Sequence, residues 1–382
     1  MDVCGTAGTI HLPFRAQRHG ELALKVLITG GNGFIGSHLT GALARRQTPT
    51  RILCRTEQFK YEAGLPADWR RTTEIVKGDI NDFDVLKELI RGVDVIFHKV
   101  ASVGVVASAQ NSRSYVHTNV GGTAALVDAL RQGDHAVKKV VLDSSAGVYG
   151  EGSYDCVSCG VVRPLTRYKL KKDANGTTKW DPSCPDCGRS VKPRAISEKA
   201  DRLGESIYAI TKKIQEDLLV SICNRLDISL TVMRYSSVYG PGQSEANYCA
   251  ELTRNLLAGR NPSLTEDGLQ TRDFVSVNDV VQSNLFALDS EKEGLFRFNV
   301  VSGEQTTLID FATRVSSAVS DALGRPMPLP VVTGNFNPGD VRHCVCSLDN
   351  IKNELGFIPK TSLNAGISQL AQALLESITA KI

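Results

Sequence analysis

No stretch of the 382 residues is apolar over the roughly 20 positions that a bilayer-crossing helix needs, so no membrane partner is expected. Charge of one sign is also scarce. The 44 basic and 41 acidic residues leave a formal charge of only +3. That excludes the basic surplus of a nucleic-acid binder or a polybasic membrane segment. Residues 1–24 lack the apolar core of a secretory signal and read as a loose N-terminal extension. A cytoplasmic location is the expectation.

Ten cysteines are present, yet a chain of this length buries a core without needing a disulfide scaffold. Four of them form two CxxC pairs, Cys156 with Cys159 and Cys184 with Cys187. Two such knuckles supply the four soft ligands that tetrahedral zinc takes, and with four thiolates no position remains for substrate or water. A structural zinc site is therefore predicted, with a redox dithiol pair as the alternative. Cys4, Cys54, Cys223, Cys249, Cys344 and Cys346 share no metal spacing, and free buried thiols are expected there. The segment between the knuckles, VVRPLTRYKLKKDANGTTKW, is too basic and polar to bury a core of its own.

The folded part opens with KVLIT, a short buried strand, followed by Gly30, Gly33 and Gly36 and then the helical pattern SHLTGALARR. Strand, glycines and helix in that order form a dinucleotide cradle. The turn lets the backbone approach a pyrophosphate, and the helix start offers unpaired N–H groups. Further strands (TRILCR, TEIVKGDI, DVIFHKVAS, VKKVVLDSSAGVYG) alternate with helical stretches, which predicts an α/β fold with a Rossmann-type doubly wound parallel sheet. Asp79, Ala101, Asn119 and Ser145 fall at or just after strand ends, where such sheets bind ligands. The second strand ends Leu53-Cys54-Arg55, without the carboxylate that holds an NAD ribose. Arg55 would suit a 2′-phosphate, so NAD and NADP both stay open. In YAITKK, Tyr208 and Lys212 stand one helical turn apart on one face. A nearby ammonium lowers a phenol that otherwise titrates at about pH 10, and so makes a usable base.

Together, TGGNGFIG, GDI, TNVGGT, SSAGVYG, YAITK and RYSSVYGPG resemble the extended short-chain dehydrogenase/reductase family from about Lys25 to the end, the cysteine-bearing insert excepted. The resemblance implies a catalytic set of Ser145, Tyr208 and Lys212, with Ser144 a bystander. It implies cofactor contacts at Gly30, Gly33, Phe34, Ile35, Gly36, Arg55, Asp79 and Ile80. It implies more at Val100, Ala101, Ser102, Asn119, Tyr208, Lys212, Tyr235 and Val238. Family members that dehydrate sugars carry an Asp-Glu pair after the serine; Ala146 and Gly147 stand here, which argues against dehydration. EDGLQTRDFV and GNFNPGDVRHC resemble segments that hold a nucleotide-sugar diphosphate, giving Arg272, Asn337, Asp340 and Arg342 as candidate substrate contacts. Asn337 replaces a usual arginine, so either Arg342 takes over or the diphosphate is held more weakly. Ser237 replaces a usual asparagine beside the sugar.

These likenesses imply a homodimeric nucleotide-sugar epimerase that oxidises C4 to a ketone and re-reduces it on the opposite face. The insert narrows the likeness to members acting on dTDP-L-rhamnose and dTDP-6-deoxy-L-talose. A 4-ketoreductase using NADPH and a non-catalytic dinucleotide sensor are the rivals. The expected layout is a dinucleotide-binding domain over residues 25–238, interrupted by a Cys4 zinc-ribbon-like insertion over 151–197. A smaller, C-terminal substrate-binding domain over 239–382 follows, with some segments returning to the first domain.

Overall fold

Along each central strand, successive side chains face opposite layers, and both layers are apolar. Val26 and Ile28 join a core cluster with Ile52, Phe97, Val141 and Met233. Leu27 joins the opposite cluster with Leu53, Ile96, Val140, Leu142 and Val232. A sheet apolar on both faces must be covered on both, which is the condition for a parallel doubly wound arrangement. The computed structural model describes residues 24–172, 175–243 and 248–379. The N-terminal extension, but for Leu24, and Cys4 lie outside the described residues.

The seven-stranded sheet runs Leu295–Val300, Ser229–Tyr235, Lys139–Ser145, Val95–His98, Val26–Thr29, Thr50–Cys54, Thr73–Lys77, parallel throughout. The chain steps outward in one direction from Val26–Thr29 and then resumes on its other side at Val95–His98. The two carboxyl ends at that switch point flank a crevice, the usual place for a ligand in open α/β sheets. Helices Phe34–Arg45 and Val277–Asp289 pack on one face. Phe83–Leu89, Gly122–Gln132 and Ile207–Leu226 pack on the other.

Beyond residue 239 most of the chain forms a smaller unit. Helices Tyr248–Leu257, Leu308–Leu323 and Leu363–Thr379 enclose Leu256, Leu264, Phe274, Phe311 and Ile367, with the Phe274 and Phe311 rings stacked at 3.7 Å. Leu295–Val300 leaves this unit to become an outer strand of the main sheet.

The cysteine-bearing insert is a separate small sheet of Lys192–Arg194, Ser153–Cys156 and Gly160–Val162, all antiparallel. Its apolar cluster is only Tyr154, Cys156, Val162 and Cys184, with Val191 against it. The insert leaves and re-enters the main body at one point. Gly204 N–H donates to the Val148 carbonyl at 2.8 Å, and a Cβ at Gly204 would fall 2.2 Å from the Gly147 oxygen.

Candidate active site

The glycine loop is shaped by close approach. Gly30 takes φ +74°, and a Cβ there would meet Val100 at 3.0 Å, so strand end and facing loop touch across the switch point. At Gly36 a Cβ would fall 2.1 Å from the Gly30 carbonyl, whereas at Gly33 the only close atom is that same oxygen, at 3.2 Å. Gly33 is the N-cap of Phe34–Arg45 and gives the helix no side-chain cap; the first turn carries no acidic residue either. By contrast Phe83–Leu89, Ile207–Leu226, Val277–Asp289 and Leu308–Leu323 are capped by Asp82, Ser206, Ser276 and Thr307. An uncapped helix start beside a bare glycine surface fits a dinucleotide pyrophosphate, which would satisfy those N–H groups. Ile35 packs against the core and Ile80 is buried. Asp79 is exposed, and its carboxyl is held low chiefly by the Asn81 backbone N–H, at 2.9 Å. Arg55 is exposed and close enough to add to that effect.

On the other side of the crevice, fully buried Asn119 ties two candidate regions together. Its Oδ1 accepts from Ser102 N–H at 2.7 Å, and its Nδ2 donates to the Ser102 carbonyl and to Thr211 Oγ1 at 3.0 and 2.9 Å. Asn119 lies in a π-helical turn, Val116–Gly121, an insertion that often marks functional sites. The loop Val100–Ser102 is thereby fixed against the helix that carries Tyr208 and Lys212.

Ser145 ends its strand, with Oγ accepting from Gly147 N–H at 3.1 Å. Its hydroxyl lies near enough to the Tyr208 phenol to favour the phenolate. Burial outweighs that effect and pushes Tyr208 up to about 12. Lys212 is buried, donates to the Asp143 carbonyl at 2.7 Å, and is lowered to about 8 by desolvation. Ser145, Tyr208 and Lys212 thus meet beside the switch point. Ser144 points away and donates to Glu216 at 2.6 Å. Tyr235 sends its hydroxyl to Asp143 at 2.8 Å, while Val238 pairs with Val275 in a small parallel ladder that also contains Ser237.

The candidate substrate residues divide. Arg272 and Asp340 come together, Nη2 to Oδ1 at 3.2 Å, with Arg272 also donating to the Val341 carbonyl at 2.7 Å. Asn337 lies in the same turn, its carbonyl accepting from Asp340 N–H. Arg342 turns the other way. Only 1% exposed, it donates to Asp181 at 2.7 Å, to Glu266 at 2.9 Å and to both oxygens of Asp267. Arg167 shares Glu266 at 2.8 Å, and Glu151 accepts from the backbone N–H of Arg342. Four carboxylates and two guanidiniums therefore bind the insert to the C-terminal unit, and Arg342 serves there as a clamp. Nothing in the spacing of Glu151, Arg167, Asp181, Glu266, Asp267 and Arg342 announces that meeting.

The four knuckle cysteines converge, with all Sγ atoms within 4.8 Å of one another and Cys156 to Cys187 at 3.6 Å. Zinc–sulfur bonds of about 2.3 Å in a tetrahedron place sulfurs about 3.8 Å apart, so this donor set fits the ion. Cys54, Cys223, Cys344 and Cys346 are buried thiols outside any disulfide, and Cys249 is buried as well. No described helix is long and apolar enough to cross a membrane.

The chain is 32% identical to a dTDP-L-rhamnose 4-epimerase of Burkholderia thailandensis over 94% of its own length and 96% of that protein. It is 28% identical to UDP-glucuronate 4-epimerase 3 of Arabidopsis thaliana, over 94% and 78% of the two chains. Among solved structures, MoeE5 in complex with UDP-glucuronic acid and NAD matches with a TM-score of 0.72 and 26% identity, covering 92% of this chain and 99% of that one. The UDP-glucose 4-epimerase of Thermotoga maritima shares the fold, with a TM-score of 0.73 and 24% identity over 93% and 100% of the chains. The profile of the NAD dependent epimerase/dehydratase family matches residues 26–176 and 191–300, leaving out part of the insert that includes the second knuckle. With most of its length matched and the crevice assembled as described, the chain belongs to the NAD dependent epimerase/dehydratase family.

Proposed function

We propose that this protein is a nucleotide-sugar 4-epimerase that interconverts dTDP-L-rhamnose and dTDP-6-deoxy-L-talose. The observation that carries the reading is the Ser145–Tyr208–Lys212 group gathered beside an uncapped glycine cradle. The likeness to the Burkholderia enzyme supports the sugar. NAD, held by the glycine loop and the loop Val100–Ser102, would supply reversible hydride acceptance at C4. Ser145 holds the 4-hydroxyl in place. Tyr208 takes its proton as the 4-keto sugar forms and returns it after the sugar has turned. Lys212, one helical turn along from Tyr208 and still protonated at neutral pH, would together with the oxidised nicotinamide supply the positive charge that the buried phenol needs to act as a base. Ala146 and Gly147 offer no side chain that could expel water from the sugar.

Zinc in the cysteine cluster would be structural, holding the insert beside the crevice. A homodimer is supported by exposed Val103, Val106, Val116 and Ile210, apolar side chains on or beside the helices flanking the site. Incubation with dTDP-L-rhamnose and no added cofactor, followed by proton NMR, tests the function. A C4 epimer approaching equilibrium is expected. No change, even with NAD or NADPH added, overturns the sugar assignment. UDP-glucuronate is the second substrate to offer, on the likeness to the plant enzymes and to MoeE5. Consumption of NADPH with net reduction would instead mark a ketoreductase and give exposed Arg55 its 2′-phosphate.

A further inference from the structure

Directly behind the phenol and the ammonium of the proposed site lies a charge pair that the epimerase chemistry leaves unused. Lys99, the residue after the strand Val95–His98, is a lysine at the buried carboxyl edge of the sheet; its side chain is 2% exposed. Its Nζ donates to Asp143 Oδ1 at 2.6 Å and to Asn284 Oδ1 at 2.8 Å. Asp143 stands on the strand that ends in Ser145. Its carboxylate also accepts from Tyr235 at 2.8 Å, while its backbone carbonyl accepts from Lys212 at 2.7 Å. Asn284 in turn donates to Tyr235 at 2.8 Å, which closes the ring of contacts.

A buried lysine with a single carboxylate partner is costly, because two ions leave water for one attraction. An apolar side chain at this position would pack without that cost. The pair therefore calls for a reason, and its surroundings offer one. The groups facing it are few. His98 is neutral, held down to about 3 by burial and the two lysines. Glu216 is taken up by Arg234 and Ser144. Tyr235 and Tyr115 are neutral phenols, the latter 6.4 Å ring to ring from Tyr208. That leaves two ammoniums gathered on one residue, Asp143, whose carboxylate lies near enough to the Tyr208 phenol to act on its ionisation. Asp143 acts against ionisation of Tyr208, and Lys99 lowers Lys212. Without Lys99, the Asp143 carboxylate would lose its paired cation and, with only Lys212 left nearby, would act more strongly on the phenol in a medium of low dielectric.

We propose that Lys99 is a positioning residue of the proton-transfer site, neutralising Asp143 so that this residue can hold Lys212 through its backbone carbonyl and Tyr235 through its carboxylate without blocking ionisation of Tyr208. The proposal uses the epimerase reading only for the identity of the reacting phenol. Its test needs no sugar, so the two stand or fall separately.

The experiment is an ultraviolet titration of tyrosinate on the protein saturated with NAD, each variant subtracted against the same variant carrying Tyr208→Phe. Lys99→Met is expected to raise the Tyr208 midpoint by about one pH unit, the size of shift that one neighbouring buried charge produces. Adding Asp143→Asn, which keeps an acceptor for Tyr235, is expected to return the midpoint toward that of the parent. A midpoint unmoved by Lys99→Met, or still raised in the double variant, overturns the proposal, because lost packing would not be repaired by removing the opposite charge. If Lys99→Met does not fold, Asp143→Asn alone supplies the opposite test: the midpoint falls, and one that stays or rises overturns it. If the titrations behave as expected and no sugar is turned over, the positioning role stands and the epimerase reading fails.

Discussion

At the scale of single residues, burial and proton chemistry pull against each other. Tyr208 sits where burial raises it to about 12, so the proposed role as a base at neutral pH requires positive charge that Lys212 and a bound nicotinamide would supply. Tyr208→Phe is expected to lower turnover by about 10²- to 10⁴-fold while leaving NAD bound, as checked by activity and by cofactor fluorescence. Lys212 pays for its place in stability. Its value is lowered from 10.5 to about 8, so the unfolded chain binds its proton more tightly. Below about pH 8 both states are protonated and the full penalty is present; it is relieved as pH rises from about 8 to about 10.5. Lys212→Met is therefore expected to raise the melting temperature at pH 7, by a stabilisation on the order of 3 kcal/mol, while activity collapses. A melting temperature that falls instead would show that the bond to the Asp143 carbonyl outweighs the buried charge.

At the scale of elements, the first helix and the cysteine insert illustrate two ways of fixing backbone. Gly36 is fixed by contact, since any Cβ would strike the Gly30 carbonyl at 2.1 Å. Gly36→Ala is expected to abolish NAD binding in calorimetry. Gly33→Ala, whose Cβ would sit tightly at 3.2 Å from the Gly30 oxygen without striking it, should weaken it less, mainly through the lost approach to phosphate. The insert has only a small apolar cluster, so beside the ion network around Arg342 the proposed zinc is what would hold its two knuckles together. Metal analysis is expected to find one zinc per chain. Chelation, or Cys184→Ser, should speed hydrogen exchange across residues 153–194 while the central strands stay protected.

These elements also show what was legible beforehand. The central strands announced themselves because a sheet covered on both faces needs unbroken β-branched and apolar runs, as in KVLIT and VKKVVLD. The cradle and the Tyr208–Lys212 spacing were legible for the same reason: each is local, set by a few consecutive residues. The clamp around Arg342 was not. It joins Glu151, Arg167 and Asp181 to Glu266, Asp267 and Arg342 across long separations, and an arginine in that segment reads equally well as a diphosphate ligand. Lys99 did leave a signal, a charged residue at the end of the buried run VIFHK, but its partner Asp143 lies on another strand.

At the scale of the whole molecule, that clamp couples the insert to the unit expected to grip the nucleotide. Arg342→Met removes the cation from between Glu266, Asp267 and Asp181 and leaves Glu266 with Arg167 alone. Breaking one side of a buried ion network costs about 3–5 kcal/mol. The expected outcome is a lower melting temperature and a raised KM, with kcat much less affected, because Ser145, Tyr208 and Lys212 are untouched. The hydrogen bond from Gly204 to Val148 has a further meaning. Because the insert departs and returns where two segments already meet, it is a side branch of the chain path and not a link in it. Such a branch can be lengthened or trimmed without rethreading the sheet, so the path that brings the glycine loop, Ser145 and the helix of Tyr208 together does not run through it.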